Sequence, residues 1–434
     1  MVMSLRARGP VASAARAATV LCRFGATPSL MARRLDQYER IAGQLGVRPT
    51  WPTTACVLER HPALMKEYAE RGVELALHGL VHGDHAALDR RRQRDTIARA
   101  IDLFERNGLH PTGFRGPYLR YNEATLEVVR ELGLRYHSSQ AVSFPLLRGK
   151  PDPKRAQGYE LALKLYSALD ARHVPVLPRL RDGLVDIPVA VPDDDILLDR
   201  LKLGEAARAA EWLSVLDRTY RQGELFTTQL HPERIPELGD ALRATLVEAR
   251  RRRPAVYVAR LDEIADWWLR RSRFKVHVTR SGDSRYSVRL DADGDATLLA
   301  RGLPSTQASG WYGRDSVCLA PRFDVEGPRM PVVSVSRGSP PAIGSFLAEE
   351  GFPVEVSDER ERYGAHVDAN ADWSAARVLE SIEAAPGPLV RVWRWPVGAR
   401  SALAVTGDVD ALTLRDFVVR SWETRDWRAQ GSQS

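Results

Sequence analysis

Two histidines four residues apart, His78 and His82, close a short apolar run, Val73-Glu-Leu-Ala-Leu77. Neutral imidazole is a common ligand of divalent metals, and this spacing lets two rings turn toward one ion. By itself such a pair is more often two loop histidines with no ligand role, and the neighbouring Asp84 and His85 offer alternative donors. Other residues at the ends of apolar runs widen the chemistry. Arg115-Gly-Pro-Tyr118 combines a fixed cation with a proline-restricted backbone that can aim an N–H. His231, in Leu-His-Pro-Glu, follows an apolar strand and is placed to act as a general acid. Asp408 and Asp410, in Thr406-Gly-Asp-Val-Asp-Ala411, can supply a base and a third metal ligand. A metal that polarises a carbonyl, with a carboxylate base and a histidine acid on either side, is the minimum equipment for hydrolysing an amide. Read without that chemistry, Arg115 is a salt-bridge partner and His231 caps a strand.

The elements that must position these residues alternate between strand and helix. Strands are expected at Ala18–Phe24, Arg48–Thr54, Val73–Leu77, Thr112–Tyr118, Leu134–Ser139, Gly183–Ala190, Glu224–His231 and Val256–Arg260. Amphipathic helices are expected between them, among them Ser29–Leu45, stopped by Gly46, and Leu261–Arg271. Repeated βα units with polar residues at the strand C-termini argue for a parallel barrel. After Arg273 the period changes to alternating apolar and polar residues across Gly-, Asp- and Ser-rich turns, an antiparallel β module. From Pro331 the pattern is α/β again, ending in the run Ser401–Val405 that leads into the two aspartates. The expected divisions are 1–272 (barrel), 273–330 (β module) and 331–434 (α/β region). Acidic residues Asp193–Asp195 follow a strand and read as turn chemistry or a substrate contact. Trp267, Trp268, Trp393 and Trp395 read as packing.

Composition limits the alternatives. Across 434 residues the chain is 44% hydrophobic and 27% charged, with a formal charge of +7. The one dense basic run, Arg250–Arg253, closes a helix before Pro254, and no aromatic-interleaved basic stripe points to nucleic acid. No apolar window is long enough for a membrane span. Cys22, Cys56 and Cys318 are odd in number and widely spaced, so neither a disulfide framework nor a CxxC site is expected. With no apolar signal region in the first 20 residues, a cytoplasmic setting is the default expectation.

In order along residues 18 to 270, His78-Gly-Leu-Val-His82, Arg115-Gly-Pro-Tyr118 and Leu230-His231-Pro232 resemble the two-histidine, RxPY and LHP motifs of the polysaccharide deacetylase family (NodB-homology domain). That resemblance implies a distorted (β/α)7 barrel and a metal-dependent hydrolase that removes an acyl group from an N-acylated sugar. It also implies roles: Arg115 orients the base, the Tyr118 backbone N–H helps to stabilise an oxyanion, and His231 protonates the leaving amine. The family's first motif, an aspartate pair at the end of strand one, has no counterpart in Cys22–Pro28. The segment Thr406-Gly-Asp408-Val-Asp410-Ala looks like a variant of it at the other end of the chain.

Three arrangements are open on this reading. The C-terminal segment docks on the barrel and completes the site, the barrel is a degenerate carbohydrate-binding relative, or the segment begins a second domain. In the first arrangement Asp410 is the third ligand of a zinc ion with His78 and His82, and Asp408 is the base held by Arg115. Removing the chain beyond Pro396 would then cost metal and activity while leaving residues 18 to 270 folded. A small-molecule amide hydrolase on the same barrel is the rival activity.

Overall fold

The computed structural model describes residues 22–147, 149, 151–303, 308–369 and 373–427. Most of the expected strand Ala18–Phe24 therefore lies outside the described residues, and its last three residues, 22 to 24, are helical. The chain is α/β, and the part that carries the candidate residues is a run of parallel strand segments wrapped by helices. Helix α1 (Ser29–Gly43) buries Met31, Leu35, Tyr38 and Ile41 on one face. The segments around 50–53 and 74–77 follow, joined by parallel bridges Thr50 to Glu74 and Thr53 to Leu77. They are shorter than the expected strands. Pro49 and Pro52 have no N–H to give to a ladder, so pairing is confined to single bridges. Leu77 bridges Phe114 of β1 (Gly113–Phe114). Strand β1 pairs with β2 (Tyr136–His137), which pairs with β3 (Leu184–Asp186), all in parallel. The single strand expected over 183–190 is two, β3 and Val189–Val191. Strand β4 (Leu225–Gln229) leads to helix α2 (Ile235–Arg251), then to β5 (Val256–Val258) and helix α3 (Leu261–Arg271).

The chain then leaves this layer. Lys275–Arg280, Arg285–Asp291 and Arg322–Glu326 form an antiparallel sheet. Leu298–Arg301 pairs with Asp315–Cys318 and, on its other edge, with Leu389–Val392. Between these, Val354–Val356, Met330–Val335 and Tyr363–Val367 make a small parallel sheet.

Strand β6 (Ser401–Thr406) brings the chain back. It pairs in parallel with β4 over five positions and, through its first three residues, with all of β5 on its other side. Past β5 the same edge continues onto the 50–53 segment: Thr50 N donates to Val405 O at 2.9 Å and Val409 N to Pro52 O at 2.7 Å. The side chains explain why this strand belongs inside. Ala402 and Ala404 pack with Ala76, Tyr136, Val185 and Trp267, where only small residues leave room for the large ones. Leu403 and Val405 alternate onto the opposite face, in the core that includes Tyr38, Trp51 and Leu230. All six residues of β6 are buried. At its end, a Cβ on Gly407 would stand 2.1 Å from the Leu230 carbonyl oxygen, so glycine is required there. The return is fastened by tryptophans. Trp267 Nε1 donates to Arg394 O at 2.7 Å and Trp395 Nε1 to Gly223 O at 2.9 Å, so these indoles are packing, as their sequence setting suggests.

Helix α4 (Leu414–Glu423) follows β6, and among the described residues no helix is long and apolar enough to cross a membrane. The interior position of β6 corrects one expectation. A chain ending at Pro396 would lose a strand flanked on both sides, exposing β4 and β5 edges and the apolar faces that β6 covers. Such a chain is expected to show no cooperative thermal transition by circular dichroism, where the full chain shows one; a truncated chain that melts cooperatively would contradict this packing.

Candidate active site

Every candidate residue lies where a parallel segment ends, and β6 supplies the piece that the N-terminal segment lacks. His78 follows Leu77 into a turn that needs Gly79 at φ +80°, where a Cβ would approach His85 Cε1 to 2.4 Å. The His78 ring is fully buried, and its Nδ1 lies 2.7 Å from the Arg115 carbonyl oxygen. A carbonyl can only accept, so Nδ1 carries a proton and Nε2 is the nitrogen turned toward the aspartates. That Nε2 faces Asp410 Oδ1 at 3.4 Å and Asp408 Oδ2 at 3.7 Å. His82 Nε2 lies 3.1 Å from Asp410 Oδ2. One donor atom from each of His78, His82 and Asp410 falls within 4.8 Å of the others.

The donor set fits a divalent cation. His78 Nε2 and Asp410 Oδ1 are buried with no hydrogen-bond partner, two lone pairs turned on each other. Burial holds the His82 imidazole well below its ordinary pKa against the pull of Asp410, so this ring is neutral. Burial alone would raise Asp410, but the two imidazoles more than offset it and keep the carboxyl well below its usual range. Two imidazoles and a carboxylate are a familiar set for zinc. Asp84 and His85, the alternative donors, stand apart. Asp84 pairs with Arg120 at 2.7 Å, and His85 packs between Phe114 and Trp427.

Asp408 sits beside this cluster in a separate role. Its Oδ1 accepts from Arg115 Nη1 at 3.1 Å and its Oδ2 from Gln229 Nε2 at 3.0 Å. Arg115 is fully buried and fixed by Thr406 Oγ1 at 2.7 Å, Ser138 O at 2.8 Å and Ser138 Oγ at 3.0 Å. Tyr118 has φ 60° and ψ 17°, a left-handed conformation that costs a non-glycine residue energy. Its ring packs edge-on to His82 at 4.4 Å.

His231 is held from behind by Asp194. The carboxylate accepts from the His231 backbone N–H at 2.9 Å and from Nδ1 at 2.9 Å, which leaves Nε2 for other partners. Burial alone would depress this imidazole, but the Asp194 carboxylate reverses that and lifts its pKa well above the ordinary value. Asp194 is one of the run Asp193–Asp195 that the sequence left between turn chemistry and substrate contact; the structure gives it to His231. Gln229 and Ser138 were not singled out from sequence, because neither carries a charge or a motif of its own. Position at a strand end beside a candidate residue was the only available signal.

Comparison with known proteins agrees with these motifs. Residues 36–137 match the family model for polysaccharide deacetylase, a stretch that includes His78, His82, Arg115 and Tyr118. The likeness to the polysaccharide deacetylase family therefore covers residues 36–137 of this chain. A peptidoglycan deacetylase-like protein of Gibberella zeae is 32% identical over 103 residues, 23% of this chain and 30% of that protein. A peptidoglycan deacetylase of Helicobacter pylori is 21% identical over 244 residues, 51% of this chain and 79% of that protein. The chain thus spans under a third of the first relative's length and about four-fifths of the second's. Among solved structures, a Mycobacterium smegmatis protein assigned to the polysaccharide deacetylases superposes with a TM-score of 0.41 at 24% identity, covering 55% of this chain and 77% of that one.

The contact between Asp194 and His231 has a direct readout. By NMR titration the His231 ring should have its midpoint above the ordinary imidazole value of 6.5. Asp194→Asn should lower that midpoint, because it removes the charge that favours the imidazolium. A midpoint unmoved by the substitution would contradict the pairing.

Proposed function

We propose that this chain is a metal-dependent hydrolase that removes an acyl group from an N-acylated sugar, on a seven-stranded deacetylase-type barrel whose first strand is supplied from the C-terminal end of the chain. One observation carries the proposal: β6 sets Asp408 and Asp410 against His78, His82 and Arg115. The family match and the names of the two relatives support the substrate class.

His78, His82 and Asp410 would hold the cation, and the two-nitrogen, one-oxygen donor set favours zinc. When bound, such a cation polarises the amide carbonyl and lowers the pKa of water. The remaining work belongs to side chains. Asp408 takes the proton from the water that attacks the carbonyl carbon, and its pairing with Arg115 keeps the carboxylate aimed. The Tyr118 N–H is the donor offered to the oxyanion that develops, which gives its strained backbone a purpose. His231, protonated because Asp194 stands behind it, delivers a proton to the departing amine nitrogen. The products are a carboxylate and a free amino sugar.

Two outcomes are expected. Purified protein should carry about one divalent ion per chain by elemental analysis, and the double substitution His78→Ala, His82→Ala should abolish it; metal kept by the double variant would end the assignment. On an N-acetylated oligosaccharide, His231→Ala should bind metal normally yet turn over roughly 10²–10⁴-fold more slowly, and an unchanged rate would return His231 to a structural role.

A further inference from the structure

Helix α4 does more than follow the strand that carries the aspartates. Its first turn is fixed by a capping box, Thr413 Oγ1 accepting from Asp416 N at 3.1 Å and Asp416 Oδ2 accepting from Thr413 N at 3.0 Å. Asp416 is also paired with Arg60 at 3.3 Å and His61 at 3.0 Å, and Arg60 reaches Glu423 at the other end of the helix. Both ends of α4 are therefore tied to the segment before the two histidines. On the face between these ties, Phe417 stacks on Phe24 at 5.3 Å, and the Arg420 guanidinium lies over the Phe417 ring at 4.2 Å. From that seat Arg420 Nη1 donates to Asp410 Oδ2 at 3.3 Å. Just beyond α4, Trp427 packs on the loop that carries His82. A Cβ on Gly83 would meet its ring at 2.5 Å, and its centroid is 5.3 Å from His85.

We infer that Arg420 is a positioning residue of the metal centre, holding Oδ2 of Asp410, the oxygen that faces His82 at 3.1 Å, so that the carboxylate presents Oδ1 toward His78. The inference rests on the reading of His78, His82 and Asp410 as metal ligands. Asp410 sits four residues past the end of β6, just beyond the bridge that Val409 makes to Thr53, and its carboxylate can rotate about its last bond. Engaging one oxygen removes that freedom and leaves the other oriented. Groups that hold a ligand in this way typically contribute 10- to 100-fold in metal affinity. Arg420 is suited to it because its own planar group is sandwiched against Phe417, so little freedom is lost when the bond forms. It stands only a fifth exposed, which protects the pair from screening.

The test measures zinc affinity of the full chain, stripped of metal and titrated against a competing chromogenic chelator at constant pH. Arg420→Gln is expected to weaken zinc binding about 10- to 100-fold while the metal-free variant melts like the metal-free wild type. A purely structural role for Arg420 would lower that melting temperature and leave the affinity of the folded protein unchanged. Should Arg420→Gln fail to fold, Arg420→Lys is held to the same criterion with a smaller expected loss. Wild-type affinity in the folded variant would overturn the positioning role. If the wild type itself binds no zinc, the metal-centre reading fails, and this inference with it.

Discussion

A guanidinium enclosed by protein must find a counter-charge, and for Arg115 the carboxylate that meets it belongs to Asp408, 293 residues further along the chain. An unpaired charge in this position would cost several kcal/mol. The rest of the site is arranged around that pairing. The Arg115 carbonyl fixes the tautomer of His78, its side chain spans β1, the residue after β2, and the end of β6, and its partner Asp408 brings Asp410 with it two residues later. Removing β6 would therefore do more than delete two acids. It would leave a buried cation without its carboxylate and two imidazoles with nothing to share.

The connectivity follows from which surfaces need covering. Strands β4 and β5 do not meet; the gap between them is the width of one strand, and β6 fills it with small residues inward and branched ones outward. The excursion from Lys275 to Val392 is anchored where it rejoins the parallel layer. Arg400 N donates to Ala255 O at 2.7 Å, and the buried Arg394 pairs with Glu350 across 2.7 Å. A chain free to end or begin elsewhere in space could not deliver Asp408 and Asp410 reproducibly. The tryptophan and arginine contacts just before β6 make its arrival point definite.

Much of the site was legible in sequence because its residues are of rare type at fixed spacing. His78 and His82, the Arg115–Tyr118 motif and His231 stand at strand ends that the apolar runs mark, and Ser401–Val405 is too apolar to lie outside a core. The displaced aspartates were legible because Thr406-Gly-Asp408-Val-Asp410-Ala looks like a variant of the aspartate motif that Cys22–Pro28 lacks. Other features were not legible. That β6 is interior depends on which edge it joins, and pairing partners leave no local mark. The strand expected over Arg48–Thr54 is reduced by Pro49 and Pro52 to single bridges, yet the segment still sits inside the layer because its neighbours cover it. Asp194 and Arg420 act through His231 and Asp410 across loops and a helix turn, and their types are common enough that only proximity distinguishes them.

The central claim is that one metal centre is built jointly from the two-histidine loop and the C-terminal strand end. Diffraction from zinc-soaked crystals, recorded on either side of the zinc absorption edge, tests it most directly. The account predicts one strong anomalous peak per chain about 2.0–2.2 Å from the His78 and His82 nitrogens and from a carboxylate oxygen of Asp410. A peak coordinated by the histidines with Asp410 turned away, or a peak at another set of residues, would contradict it.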